Sequence, residues 1–418
     1  MKWFWIPVIL SVLVLPGAQA RDDDPIPRDI SVTTAIELAL ERNPAYRQSR
    51  EAVNERRGER RQAFGIDRPR LFYGEEGIPS GGSDFTERRW GVSQALDFPL
   101  TGLFRHNARS AEIGMLEAEA ATSRQHLVAA VKQAYADVAH AAKLLALREE
   151  MVTISREFRD AAQARLELGE AAELEMLNAE VQLAEALNDL AAAQVNFDEA
   201  RYTLFELMGV DEEEQDYDVD FPDTLRYVPS DIRQDSILAH LKAMPAYRSA
   251  GSALDAARWD VRAGWSGLLP GLDMSWFQQD FGTGYDAWGF EVGISVPLWL
   301  PLGETGRIQK ARARYRSARE GMFARELALK KAAESAWHRY EASRETIDRY
   351  HRTTREQSRR LLQLTAEGYR LGELDVLRLL VAQRTYLSSQ ERYYGALREY
   401  THQLILLEPY LGRALVFN

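Results

Sequence analysis

Trp288-Gly289-Phe290-Glu291-Val292-Gly293-Ile294-Ser295-Val296-Pro297-Leu298 alternates large apolar residues with small or polar ones along its whole length. Only an extended chain turns every second side chain to the same side, so the spacing predicts a β-strand with one greasy face. Just upstream, Leu272, Met274 and Trp276 alternate with Asp273 and Ser275, and Gly282-Thr283-Gly284-Tyr285-Asp286 supplies a turn between the two runs. A second hairpin of the same kind lies far upstream. There Trp90, Val92, Leu96 and Phe98 alternate with Gly91, Ser93, Ala95 and Asp97, and Leu71-Phe72-Tyr73-Gly74-Glu75-Glu76 precedes a loop from Gly77 to Asp84. Interleaved polar positions with aromatic ends fit lipid-facing barrel strands, although the edge of a soluble sandwich alternates as well. Four strands cannot close a barrel, since the smallest have about eight. Strands of this kind in a membrane therefore require several copies of the chain.

Working outward from the hairpins, the chain repeats itself. Pro44-Ala45-Tyr46-Arg47 recurs as Pro245-Ala246-Tyr247-Arg248, an offset of 201. Pro99 to Gly102 recurs as Pro301 to Gly303, with terminal glycines 201 apart, and Leu168-Gly169-Glu170 recurs as Leu371-Gly372-Glu373 at 203. One match would be chance; three in the same order indicate a tandem duplication. The organisation is a first repeat over 21–210, an acidic linker over 211–233 and a second repeat over 234–418. Each repeat reads as helix, two strands and two long helices. Thr34 can cap the first helical run, Ala35 to Leu40.

No proline occurs between Arg105 and Leu168, and apolar residues recur at Leu127, Val131, Ala134, Val138, Ala141, Leu145 and Val152. That is a heptad seam on a helix about 90 Å long, too long for one globular domain. The returning helix is apolar at Leu174, Leu177, Val181, Leu187 and Leu190, and ends near Met208-Gly209. The second repeat has an Arg-rich helix from about Ile308 to Gly368 and a return from Asp375 to about Leu407. Gly169 and Gly372 sit where each hairpin reverses, and glycine tolerates the left-handed backbone of a helix end. Chain reversal alone would also require them.

Residues 1–20 read as a signal peptide: Lys2, the apolar run Trp3 to Leu15, and Ala18-Gln19-Ala20 as the cleavage site. The run is shorter than the roughly 20 apolar residues needed to span a bilayer. With no cysteine, the chain carries neither lipoprotein processing nor disulfides nor thiolate metal sites. A 45% hydrophobic content over 418 residues can bury a large core, and a net charge of −11 argues against nucleic acid. His106, His126, His140, His240, His338, His351 and His402 form no ligand pair, and the eight methionines are scattered. No phosphate loop or nucleophile elbow is present. Neither an enzyme, a metal site nor a cofactor is expected.

The signal peptide, the duplicated unit, the strand exit Ser93-Gln94-Ala95-Leu96-Asp97-Phe98-Pro99-Leu100-Thr101-Gly102 and the paired Leu-Gly-Glu tips resemble the TolC-type outer-membrane factor family across essentially the whole mature chain. The resemblance implies a mainly α fold with a membrane β-barrel. A homotrimer would form a 12-stranded barrel in the outer membrane of a Gram-negative bacterium and a periplasmic α-helical barrel below it. It implies a passive exit duct of an efflux or secretion system, partnered by a periplasmic adaptor protein and an inner-membrane pump. Adaptor docking would fall on Leu168, Gly169, Glu170, Leu371, Gly372 and Glu373, and lipid contact on Trp90, Val92, Phe290, Val292 and Ile294. Family members often carry acidic residues six and nine positions after the second tip glycine; Arg378 and Val381 stand there, against Glu175 and Asn178 in the first hairpin. Glu175, Asp375 and Arg378 are therefore the candidate gate or lumen residues, with a solvated surface role for Arg378 equally open. The alternative reading is a periplasmic adaptor-like coiled-coil protein, which would have one helical hairpin instead of two.

Overall fold

The computed structural model describes residues 26–63, 68–77, 87–169, 172–210, 219–281, 285–296 and 303–417. The expected signal peptide, residues 211–218 of the acidic linker, the turn glycines Gly282 and Gly284, Glu170 and Pro297-Leu298 lie outside the described residues.

Helix α1 (Val32–Arg42) starts one residue after Ser31, whose extended backbone lets its hydroxyl accept the Thr34 N–H at 3.1 Å. Ser31 is thus the cap in place of the expected Thr34, which already has helical neighbours; a capping residue needs a non-helical backbone. The single helix expected here is two, because Pro44 removes an N–H and begins α2 (Pro44–Ala63). Between them Asn43 accepts the Tyr46 N–H at 3.1 Å and donates to the Leu207 carbonyl at 3.0 Å.

The strands β1 (Arg70–Glu76), β2 (Glu87–Leu96), β3 (Gly271–Asp280) and β4 (Asp286–Ser295) form one antiparallel sheet in chain order. The two hairpins join through β2 and β3, so the duplication is also a structural pairing. From β2 the chain enters α3 (Pro99–Glu167), which returns as α4 (Glu173–Met208) and stops at Gly209 with φ +69°. After the linker come α5 (Gln234–Ala239) and α6 (Pro245–Ser266), the counterpart of α2. From β4 the chain enters α7 (Glu304–Arg349) and α8 (Arg355–Arg370), then returns as α9 (Val376–Leu411). The expected unbroken helix from Ile308 to Gly368 is interrupted by a π turn at Tyr350–Thr354. Its His351 ring lies between Tyr227 of the linker, at 5.1 Å, and Tyr393, at 6.2 Å. One extra residue rotates a helix face by about 100°, enough to redirect that side chain.

Beside the sheet the helices form a single layer in the order α2, α3, α6, α7, matching the strands they continue. Further away α4 packs on α3, α3 on α9, and α9 on α7 and α8. One flank therefore ends in β1, α2 and α4, the other in β4, α7 and α8. Tyrosines bind the linker to both hairpins. Buried Tyr135 of α3 donates to the Ile30 carbonyl at 2.9 Å and accepts the Asp223 N–H at 3.2 Å. Tyr400 of α9 treats Val228 and Ser230 likewise, at 3.0 and 3.2 Å.

The seam expected on α3 is buried at Leu127, Val131, Ala134, Val138, Ala141 and Val152, whereas Leu145 is only half-buried. On α4 the large apolar residues are placed differently. Leu174, Leu177, Val181 and Leu187 are exposed, and α4 meets the rest of the chain through Ala179, Ala193, Leu204, Phe205 and Met208. Small residues allow close approach on one side and leave the larger apolar stripe without a partner inside one chain.

Candidate functional site

Strand register assigns each residue of the sheet to a face, because directly paired residues point the same way. Leu71, Val92, Trp276 and Phe290 form one row; Tyr73, Trp90, Gln278 and Trp288 form the next. Two further rows, Gln94-Met274-Val292 and Leu96-Leu272-Ile294, complete an apolar band that is bounded at the turn end by the charged row Glu75-Arg88-Asp280-Asp286. All five expected lipid-contact residues lie on this face, and Phe290, Val292 and Ile294 are 60%, 56% and 67% exposed in the single chain.

The opposite face is polar and glycine-rich. Its rows include Arg70-Ser93-Ser275-Glu291 and Phe72-Gly91-Phe277-Gly289. Arg89 stacks 3.7 Å over the Phe277 ring and reaches Glu291 at 3.4 Å. Gly289 leaves room for that ring, since a Cβ would stand 2.3 Å from it and Phe277 would have to shift.

At the other end of the helices, Gly169 and Gly372 adopt φ of +73° and +76°. Their N–H groups donate to the carbonyls of Leu166 and Tyr369, each at 3.0 Å, and Leu168, Leu371 and Glu373 are exposed beside them. Close by, Glu175 is not a free lumen carboxylate. It lies 3.2 Å from Arg165 and accepts the Tyr369 hydroxyl, joining α3 and α4 to α8. Burial, and then that hydrogen bond, push the Tyr369 hydroxyl up to about 12. Asp375 caps α9 by accepting the Arg378 N–H at 2.9 Å, while the Arg378 side chain is exposed. Arg165 and Tyr369 carry no signal in the sequence: Tyr369 is 194 residues from Glu175 and belongs to the other repeat.

Between tips and sheet a polar ladder ties α3 to α9. Lys132 meets Glu408 at 2.8 Å, Asp137 meets His402 at 2.9 Å and Arg398, and Arg148 meets Asp189 at 3.0 Å and Glu391. Burial raises the Asp137 carboxyl, but hydrogen bonds from His402 and Arg398 outweigh it and hold the group below its ordinary value. An open groove of about 510 Å³ between α3 and α4 is lined by Asp137, His140, Arg148 and Asp189. Burial, helped by Arg398, pushes His140 down to about 4.

A half-buried histidine held neutral makes the fold acid-sensitive. The unfolded chain takes up this proton near the ordinary value of about 6.5 and the folded chain only near 4. The His140 contribution is therefore complete above the upper value and lost as pH falls from 6.5 toward 4. His140→Gln is expected to flatten the dependence of the unfolding midpoint on pH in that window. An unchanged slope would refute the assignment. Among the described residues no group of three or more His, Asp or Glu is arranged around a metal, and no helix is long and apolar enough to cross a membrane.

A duplicated hairpin unit, one sheet with an apolar and a polar face, and long paired helices have a known counterpart: the family described as "Outer membrane efflux protein" matches this sequence over residues 35–210 and again over 239–413. The chain belongs to the outer membrane efflux protein family. Both repeats match the same family description, which agrees with the duplication read from the sequence. The outer membrane efflux protein BepC of Brucella suis biovar 1 is 26% identical over 360 residues, covering 81% of this chain and 75% of that protein. Among solved structures, VceC from Vibrio cholerae superposes with a TM-score of 0.75 at 18% identity, over 92% of this chain and 96% of the other. The open state of MtrE from Neisseria gonorrhoeae gives 0.74 at 19%, over 91% and 88%. These likenesses carry the fold: helical barrel and β-barrel built from a duplicated unit. As a member of the outer membrane efflux protein family, this chain is an outer-membrane transport protein of a Gram-negative bacterium with a large periplasmic helical portion.

Proposed function

We propose that three copies of this chain close into a 12-stranded barrel and a helical tunnel that serve as the passive exit duct of a tripartite efflux or secretion system. The carrying observation is that both flanks are incomplete at every level: β1 and β4 end the sheet unpaired, and α4 exposes Leu174, Leu177 and Val181. Unpaired strand edges and an apolar helix stripe require partners. A head-to-tail contact of one flank against the other satisfies both and, on closing, gives a ring. The apolar sheet face then meets lipid and the Arg89-Glu291 face meets water. Energy for export comes from an inner-membrane pump, coupled through a periplasmic adaptor that docks at Leu168, Gly169, Glu170, Leu371, Gly372 and Glu373. Glu175, Asp375 and Arg378 stand one or two turns above those tips, where a gate belongs. Extraction from outer membranes only by detergent, with the mass of a trimer, tests the assembly; a monomer released by salt would overturn it.

The tips give a separate prediction. A bulky residue at Gly169 or Gly372 meets open space but is forced into a left-handed backbone, which costs about 1 to 3 kcal/mol locally. Trimer yield should survive, because the tips lie about 100 Å along α3 from the sheet. Adaptor cross-linking and efflux should fail. Charge reversal at Glu373 should act more gently, within about 0 to 1 kcal/mol for an exposed pair. Normal cross-linking and transport in both glycine variants would reduce the tips to simple turns.

A further inference from the structure

The helix layer next to the sheet has two unlike faces. Asp97 follows the polar face of β2 in register, and its carboxylate holds Arg105 of α3 at 2.6 Å. The Arg105 side of the layer therefore continues the polar face of the sheet. On that side Arg109 pairs with Glu112 at 2.7 Å, Arg56 reaches Glu112 at 3.4 Å, and Asp260 lies among Glu112, Arg109 and Arg314. Arg56, Arg105 and Arg109 each have a carboxylate within ion-pair distance.

The other side continues the apolar face and is built differently. Arg258, Arg262 and Trp265 recur at helical spacing along α6, Leu269 follows in the turn after it, and Trp265 and Leu269 are 46% and 44% exposed. Arg312 of α7 lies 4.9 Å over the Trp265 ring, and Arg262 lies 4.3 Å over Trp259. Among the described residues neither guanidinium has a carboxylate within ion-pair distance, and Arg316 extends the same face of α7 one turn on. Trp265 precedes Gly271, the first residue of β3, by six positions, and α6 ends at Ser266, so the indole stands at the junction between helix and sheet. A headgroup layer is roughly 5 to 8 Å thick beside the hydrocarbon.

We propose that Trp259, Arg262, Trp265, Leu269 and Arg312 form a binding collar for the headgroups of anionic phospholipid in the leaflet from which the helices emerge. The proposal rests on the barrel reading above. Indole rings settle at the membrane interface because one part is apolar and the N–H is polar. A guanidinium forks onto phosphate oxygens, and stacking on an indole holds that fork in place without neutralising it. On the polar side Arg56, Arg105 and Arg109 are already paired and less available to a phosphate. The collar would lock the vertical position of the barrel in the bilayer.

The test uses the full-length protein reconstituted in phosphatidylcholine vesicles with trace spin-labelled phosphatidylglycerol or phosphatidylcholine, and reads the motionally restricted fraction of each. Restricted phosphatidylglycerol is expected to exceed phosphatidylcholine by up to about fivefold per basic side chain involved. The double variant R262Q/R312Q should bring the ratio near one, while R105Q on the polar side should leave it unchanged. Equal restriction of both lipids by the unaltered protein, or a preference that survives R262Q/R312Q, overturns the collar and leaves the barrel standing. No restricted component for either lipid overturns both.

Discussion

Glu408→Ala is expected to destabilise the chain by about 3 to 5 kcal/mol, the cost of leaving a buried charge without its partner. The Lys132 side chain is 6% exposed and that of Glu408 13%. Both carboxylate oxygens accept from the ammonium, at 2.9 and 2.8 Å, and one of them also accepts the N–H groups of Leu415 and Val416, at 2.8 and 3.2 Å. Alanine would leave Lys132 only the Val416 carbonyl at 3.2 Å, and would orphan two tail N–H groups together. The damage should spread, because the same tail sets Phe417 edge-on to Tyr135, the residue that holds Ile30 and Asp223. Removing both charges in Lys132→Met with Glu408→Leu should cost less than Glu408→Ala alone, since an apolar pair leaves no buried ion. Urea unfolding of the detergent-solubilised protein measures this. A loss below 1 kcal/mol in Glu408→Ala, or a double variant worse than the single, would show that the pair is hydrated and the ladder is not what binds the tail.

What could be read in the sequence was whatever local periodicity encodes. Alternation at Trp288 to Ile294 announced a strand, and the register of all four strands puts that alternation on one continuous face. Gly169 and Gly372 announced reversals because a left-handed helix end has few other occupants, and both have positive φ. Boundaries were less legible. Ser31 and Thr34 are both plausible caps by type, and only the extended backbone at Ser31 decides between them. The π turn at Tyr350–Thr354 has no proline or glycine to mark it; its context is the aromatic packing of His351 against a linker more than a hundred residues away. The candidate site suffered most where partners are distant. Glu175 is a candidate gate or lumen residue by resemblance, and nothing in the sequence shows that Arg165 and Tyr369 engage it from two other helices. The apolar stripe at Leu174, Leu177, Val181 and Leu187 of α4 is legible as periodicity, yet it stays exposed within one chain. Periodicity says that a helix face must be covered and says nothing about which chain covers it.

Arginine at Val292 should then cost about 2 to 4 kcal/mol if that residue lies near the bilayer midplane, because the ion would have to leave water or deform the lipid around it. Val292 sits in the row Gln94-Met274-Val292, with Phe290 and Ile294 two positions away on the same strand and face. The charged row Glu75-Arg88-Asp280-Asp286 lies three rows toward the turns, too far for an arginine to be rescued by simple reach. The adjacent Gly293 is the control. It points to the polar face beside Asp273, where an added Cβ would stand at an ordinary 3.7 Å, so Gly293→Arg places its charge near a carboxylate and water. Val292→Arg should sharply reduce the heat-resistant assembled form recovered from outer membranes, while Gly293→Arg should assemble almost normally. Phe290→Arg, two positions along the same face, should repeat the Val292 result, which separates burial in lipid from a local packing fault. Equal assembly of Val292→Arg and Gly293→Arg would mean that the apolar face does not meet lipid, and the barrel reading would fall with it.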